Sequence, residues 1–372
     1  MKVHSLPMLA AIAVLLAGMQ ENVPPPQADI DKAIKAGTEY VIGRCKNDLS
    51  GGTLPVNSEM GFDYSALMLY TLVHSGTSLE DETVQRLLAR VLGAPLVRTY
   101  QVSLTATALA AIDPAKYQAK LAQCAQYLVD WQCDNGQWGY GDKYEPEVKA
   151  GSGDGGSRTV AKIQIKRIKK LGPLVGDNSN SQYAALGLKA SAAGGCEIEA
   201  AVLTRAIDWW ERSQQNDGGW SYHSEGAYQK QLGVYGSMTA GAVSSLIMLK
   251  QIKNSDPKIA SSIIRGIGWM SDNFTVAANA RAQQNRDEWQ HYYLYAMERV
   301  GDLYPTEKFG KRAWYAIGAA YLLKTQKPDG TWVGPNSDLT VADTCFALLF
   351  LQRAARRPPV ATGGKSPPTP AK

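Results

Sequence analysis

Two short stretches of this 372-residue chain hold side chains that could do chemistry. The first runs from Asp287 and Glu288 through Trp289 and His291 to Tyr292 and Tyr293. Carboxylates, an imidazole and phenols set this close can take and give protons, and their rings can stack on a sugar. The same run also reads as core packing behind a polar helix start. The second is Thr340-Val341-Ala342-Asp343-Thr344-Cys345, with one carboxylate at the start of an apolar helix, where it would cap open N–H groups and favour the helix dipole. Asp343, Asp287, His291 and Tyr292 are therefore the candidates for catalysis. Polar and aromatic residues at the starts of other apolar segments (Asp63, Tyr64, Asn180, Gln182, Tyr183, Tyr235, Thr239, Tyr293) are candidates for lining a binding cavity. The sequence calls for no cofactor and no metal: it has no CxxC pair and no His-rich tract.

The elements that must position these residues follow from an internal repeat. Tyr127-Leu128 precedes Gln132, Gly136 and Trp138; Trp209-Trp210 precedes Gln214, Gly218 and Trp220; Tyr321-Leu322 precedes Gln326, Gly330 and Trp332. Each copy keeps one spacing of aromatic, Gln, Gly and Trp. Apolar residues at helical period come before each Gln, and Asn-Gly or Asp-Gly ends the helix. The Trp packs over the helix end while the Gln amide meets open backbone groups there. A more apolar helix follows each turn, opening on hydroxyl or amide residues such as Ser181, Thr239 and Thr344. Degraded copies at Tyr40–Cys45 and Trp269–Phe274, and a pair at 84–92 and 100–110, bring the count to six outer-inner helix pairs over 29–355. Such an array covers its two ends by closing into a ring. The expected fold is an all-α toroid of helical hairpins.

The Gln…Gly-x-Trp repeats resemble those of squalene and oxidosqualene cyclases, and the hairpin ring resembles their domains and the β subunits of protein prenyltransferases. Asp177–Tyr183 and Tyr292–Arg299 are also similar to stretches of exported bacterial proteins that carry these repeats. The resemblance implies a central cavity at the starts of the inner helices. It also implies an Asp-rich helix start whose third position protonates an alkene, where this chain has Ala342 and keeps only Asp343. Cyclase chemistry is thus not expected. A prenyltransferase-like zinc site would draw on Asp343, Cys345 and His291, with the His on the wrong helix in chain order. The expected function is binding of a ligand (isoprenoid or glycan) or a protein partner at the cavity or rim. A cyclase with a displaced acid and a polysaccharide-active enzyme are the alternatives.

Residues 1–18, with Lys2, His4 and the apolar run Leu6–Leu16, read as a signal for export, which places the protein in the periplasm, outside the cell or against a membrane. Residues 19–28 read as a Pro-rich linker, 140–178 as a flexible basic insertion and 356–372 as a disordered Pro-rich tail. The insertion's Lys162, Lys166, Arg167, Lys169 and Lys170 suit a solvated two-stranded flap or contact with an anionic membrane surface. A net charge of +5 with no aromatic-basic pattern gives no reason to expect nucleic acid. Five cysteines at irregular spacing describe no disulfide framework.

Overall fold

A computed structural model describes residues 22–50, 56–57, 62–148, 160–222, 233–282 and 289–355. The export signal, the tail, the Gly-rich run 151–156 and Asp287 lie outside the described residues. Twelve α-helices occur among them. They are α1 (Gln27–Ser50), α2 (Ser65–His74), α3 (Glu82–Gly93), α4 (Thr99–Ile112), α5 (Gln118–Asp130), α6 (Asn178–Ala193), α7 (Ala200–Ser213), α8 (Gly236–Ile252), α9 (Ser261–Asp272), α10 (Gln290–Leu303), α11 (Trp314–Thr325) and α12 (Thr340–Gln352). The first helix begins inside the segment expected as linker.

Two kinds of helix alternate, and the sequence explains both. Odd-numbered helices are amphipathic: in α3, Thr83, Val84, Leu87, Leu88 and Val91 are buried while the residues between them face outward. Even-numbered helices are apolar or small on every side, and in α8 every residue from Gly236 to Leu249 is buried. A helix without a polar face is stable in water only when surrounded. The even helices pack α2–α4–α6–α8–α10–α12 and back to α2, forming a closed inner ring. Odd helices lie outside it, each against inner neighbours, and α1 also packs on α12 and α11 to join the two ends of the array. The fold is all-α, a toroid of six hairpins.

The three Gln-Gly-Trp copies are fasteners between hairpins. Gln132 Nε2 donates to Gly136 O in its own turn (3.4 Å) and to Val202 O in α7 (3.0 Å). Gln214 Nε2 does the same to Gly218 O and Ser262 O in α9 (both 2.8 Å), and Gln326 Nε2 to Gly330 O (3.1 Å) and Ala33 O in α1 (2.9 Å). Each Trp indole N–H donates to a carbonyl of the outer helix's last turn, at Leu128, Trp210 or Leu322. Carbonyls of a last helical turn lack the full set of backbone donors found further inside the helix. The Trp backbone N–H donates in turn to Ser181, Thr239 or Thr344 at the start of the next inner helix, at 3.0 to 3.1 Å. Gly136, Gly218 and Gly330 have φ of 96°, 91° and 86°, and a Cβ there would stand 2.2, 2.8 and 2.4 Å from a carbonyl of the next outer helix. Only glycine permits both the turn and the approach.

The insertion is not a self-paired flap in its described part. Strand β3 (Ile163–Ile165) pairs in parallel with β4 (Cys196–Ile198), and Ile163 and Ile165 are buried. Lys162 pairs with Glu197 and Lys170 with Asp134. A second, antiparallel pair joins β1 (Val56–Asn57) to β2 (Phe62–Asp63) before α2. The strands formed where they did because burying the two isoleucines against the ring outweighs leaving them on a solvated loop.

Trp220 is fully buried and joins three elements. Trp220→Ala is expected to cost about 3–5 kcal/mol in urea unfolding. A loss below about 1 kcal/mol, within the range of an ordinary surface change, would mean that the fastener does not hold the ring.

Candidate functional site at the ring axis

The inner helices aim their first two turns at the axis, and α10 supplies most of what meets there. Tyr292, Tyr295 and Arg299 recur on one face at helical spacing. The Tyr292 hydroxyl lies 3.2 Å from that of Tyr100 on α4. Those two helices are opposite each other in the ring, so the contact spans the bore. Gln182 on α6 donates from Nε2 to the Tyr292 hydroxyl and accepts from Arg299 Nη2 at 2.8 Å. The Tyr183 ring lies parallel to that of Tyr292 with centroids 5.9 Å apart, and sits against Tyr100 at 4.3 Å. Phe346 of α12 stands edge-on to Tyr292 and stacks on Tyr295. The Arg299 guanidinium lies over Tyr295, 4.3 Å from its centroid. Burial pushes the phenols of Tyr70, Tyr100, Tyr183, Tyr292, Tyr293 and Tyr295 up, so all remain neutral at ordinary pH.

His291 and Asp343 meet, because α10 and α12 are ring neighbours: His291 Nδ1 is 3.2 Å from Asp343 Oδ1, both side chains 4% exposed. The other Asp343 oxygen accepts the Gly334 N–H at 2.9 Å. The carboxylate therefore ties the preceding loop to the helix instead of capping α12's own N–H groups, a correction that follows from its place a full turn inside the helix. Cys345 does not join them. Its thiol lies by Thr71 of α2, and burial pushes it up to about 12. Burial also raises Cys124 and Cys196 to about 12 and Cys133 to about 11. All five cysteines are buried and none is in a disulfide, and such thiols are poor nucleophiles. Among the described residues no three His, Cys, Asp or Glu side chains converge as a metal site.

The cavity candidates separate by role. Gln182 and Tyr183 stand at the axis. Asn180 bonds to Asp177, whose side chain caps α6. Asp63 accepts from Ser65 N at 2.8 Å and pairs with Arg90 at 3.3 Å, at the entry to α2 beside Tyr64. Thr239 serves the Trp220 fastener and receives no ligand-facing position, and Tyr235 supplies the carbonyl that Thr239 Oγ1 bonds. Tyr293 is fully buried and packs toward Gly236 of α8. The residues that sequence reasoning passed over are Tyr100, Arg299, Tyr140 and Tyr222. A signal for Arg299 existed: a charge placed seven residues after Tyr292 on a helix with no polar face. Tyr140 and Tyr222 form a rim above the axis, with hydroxyls 3.5 Å apart. Ser179 Oγ lies 3.0 Å from the Tyr222 hydroxyl and 2.6 Å from Asp177 Oδ1. Arg98 covers the Tyr140 ring, and Trp289 stands edge-on to Tyr292.

No family model and no curated protein matches the sequence. Solved structures with a similar fold include an arginine-to-alanine variant of the type II terpene cyclase MstE from Scytonema, in complex with its substrate geranylgeranyl dihydroxybenzoate. That chain is 12% identical, with a TM-score of 0.32, over 79% of this chain and 99% of its own. At that level the ring is established by its own helix contacts.

Below the axis cluster, Glu298 is fully buried, accepts the Ala355 N–H at 2.7 Å and faces Asp302, which Arg353 pairs. Desolvation, then the Asp302 charge, hold its carboxyl well above the usual 4.5. An acid with a raised folded-state pKa contributes stability that is present below its unfolded value and is lost as pH climbs toward the folded one. Glu298→Gln keeps the acceptor and removes the proton. Denaturant titrations of both proteins should show the variant gaining on the parent as pH rises above about 4.5. Parallel pH profiles would show that Glu298 is not held protonated.

Proposed function

We propose that the chain is a helical ring that binds a ligand without cyclising it, and that the ligand is a carbohydrate held against the aromatic rim around Tyr140, Tyr222 and Trp289. The observation that carries this reading is the contact of Tyr100 with Tyr292 across the bore. The chain's own side chains occupy the axis on which a folded polyprenyl substrate would have to lie. Ala342 stands where an alkene-protonating acid would be, and one oxygen of Asp343 is taken by the Gly334 N–H. The rim supports the choice of ligand. Its rings present apolar faces, of which Tyr140 is 41% exposed, and between them lie phenols, Ser179, Asp177 and Arg98. Aromatic faces with a few convergent polar groups suit a ring that carries hydroxyls on an apolar body. The sequence of residues 1–18 supports a place outside the cytoplasm, where such ligands occur.

One observation favours a second reading, a polysaccharide-active enzyme. His291 and Asp343, an imidazole and a carboxylate of the kinds such enzymes use, lie 3.2 Å apart. Their burial beneath Trp289 and Tyr292 sets them back from the rim, so the binding reading is preferred.

Purified full-length protein incubated with squalene and with geranylgeranyl substrates should yield no cyclised product by mass spectrometry. A product that disappears in Asp343→Asn would overturn the non-cyclase reading. On a carbohydrate array followed by calorimetry, the hits should lose about 1 kcal/mol, several-fold in Kd, in Tyr140→Ala. Glycan binding that ignores this substitution would remove the rim from the proposal.

A further inference from the structure

Arg299 carries a buried charge whose guanidinium is only partly satisfied by hydrogen bonds. The residue is 2% exposed, in the middle of the ring, two turns below Tyr292 on α10. Its one hydrogen bond runs from Nη2 to the neutral Gln182 amide oxygen. Nε and Nη1, with three N–H groups between them, have no acceptor in strict hydrogen-bonding geometry, and the acceptors beside them are the neutral phenols of Tyr183 and Tyr295. No carboxylate among the described residues forms an ion pair with the guanidinium. Glu298, its neighbour in sequence, forms no ion pair with it and accepts instead from the Ala355 N–H beside Asp302. The three rings around the cation carry no formal charge, and arginine does not shed its proton.

A buried cation in a medium of low polarity is costly unless paired, and a half-satisfied polar cluster costs more than an apolar one. Loss of a proton does not remove this charge, so the partner that suits it is an anion with oxygens that accept from several donors at once. We propose that Arg299, with the Tyr183 hydroxyl beside it, forms a buried site for a small oxyanion, a phosphate or carboxylate group, in the heart of the ring. Tyr183 and Tyr295 hold the guanidinium flat between their faces, through cation–π contact at 5.9 and 4.3 Å from their centroids. Gln182 fixes one end and leaves Nε and Nη1 to the anion. Tyr292, held by Gln182 and Tyr100, closes the site from the rim, so entry of the anion requires those rings to part. This site is separate from the rim and does not depend on what binds there.

The test uses the full-length chain dialysed against chloride. Inorganic phosphate and acetate are titrated at constant ionic strength, following the melting temperature and the heat of binding. A saturable rise in melting temperature, matched by a calorimetric isotherm, is expected for at least one of them, because a ligand of the folded state alone stabilises by mass action. Arg299→Met should lose the rise. Because that variant could fail to fold, Gln182→Glu provides the second arm. It sets a carboxylate on the guanidinium from within, and should melt above the parent in chloride while no longer responding to either anion. A melting temperature indifferent to both anions in the parent, or an equal response in Gln182→Glu, overturns the proposal. A response to phosphate alone assigns a phosphate group, and one to acetate a carboxylate.

Discussion

The ring depends on three glutamines, in three of its six hairpins, whose side-chain amides each satisfy two backbone carbonyls at once. A helix end leaves carbonyls that need donors, and at the centre of a packed toroid water cannot supply them. Gln132, Gln214 and Gln326 each reach from their own Gly turn to the first turn of the next outer helix, and the Trp indole answers the carbonyls of the last turn behind it. Because donor and acceptor belong to successive hairpins, local satisfaction and repeat-to-repeat assembly are one event. The last copy shows the consequence. Gln326 bonds Ala33, so the fastener that joins neighbours elsewhere joins the end of the array to its beginning.

That closure sets the terms for everything inside. Inner helices made of small residues can approach one another, and Gly187 of α6 rests close to the Ser103 backbone of α4. A narrow bore leaves the long side chains of α10 nowhere to go but the axis. Tyr292, Tyr295 and Arg299 fill it from one side, and Tyr100, Tyr183, Gln182 and Phe346 meet them from the others. A bore filled with phenols, an amide and a cation differs in kind from an apolar cavity: its polar groups must find partners or exact a cost in stability. Burial favours the neutral form of the Glu298 carboxyl, whereas Arg299 has no neutral form to adopt.

The aromatic side chains serve two distinct purposes. Trp138, Trp209, Trp210, Trp220, Trp314 and Trp332 are fully buried between helices and act as mortar. Tyr140, Tyr222 and Trp289 keep part of their surface open at the end where the inner helices begin, with their polar atoms already organised by Ser179, Asp177 and Tyr292.

Much of this architecture was written in spacing. The interval from Gln to Gly to Trp is local, so it can be read without knowing any contact, and the switch between amphipathic and wholly apolar helices told outer from inner. Six hairpins and their closure followed. What only the tertiary structure decided is which residues face one another across the ring. Tyr100 and Tyr292 are far apart in sequence, and nothing local pairs them. His291 and Asp343 met, although chain order had argued against a zinc site there, because α10 and α12 are successive inner helices and stand side by side in the ring. Cys345 turned to α2 because successive positions on a helix point about 100° apart, so two residues along from Asp343 faces another neighbour. Helix and turn are properties of a few adjacent residues; a site at the axis of a ring is a property of all six hairpins at once.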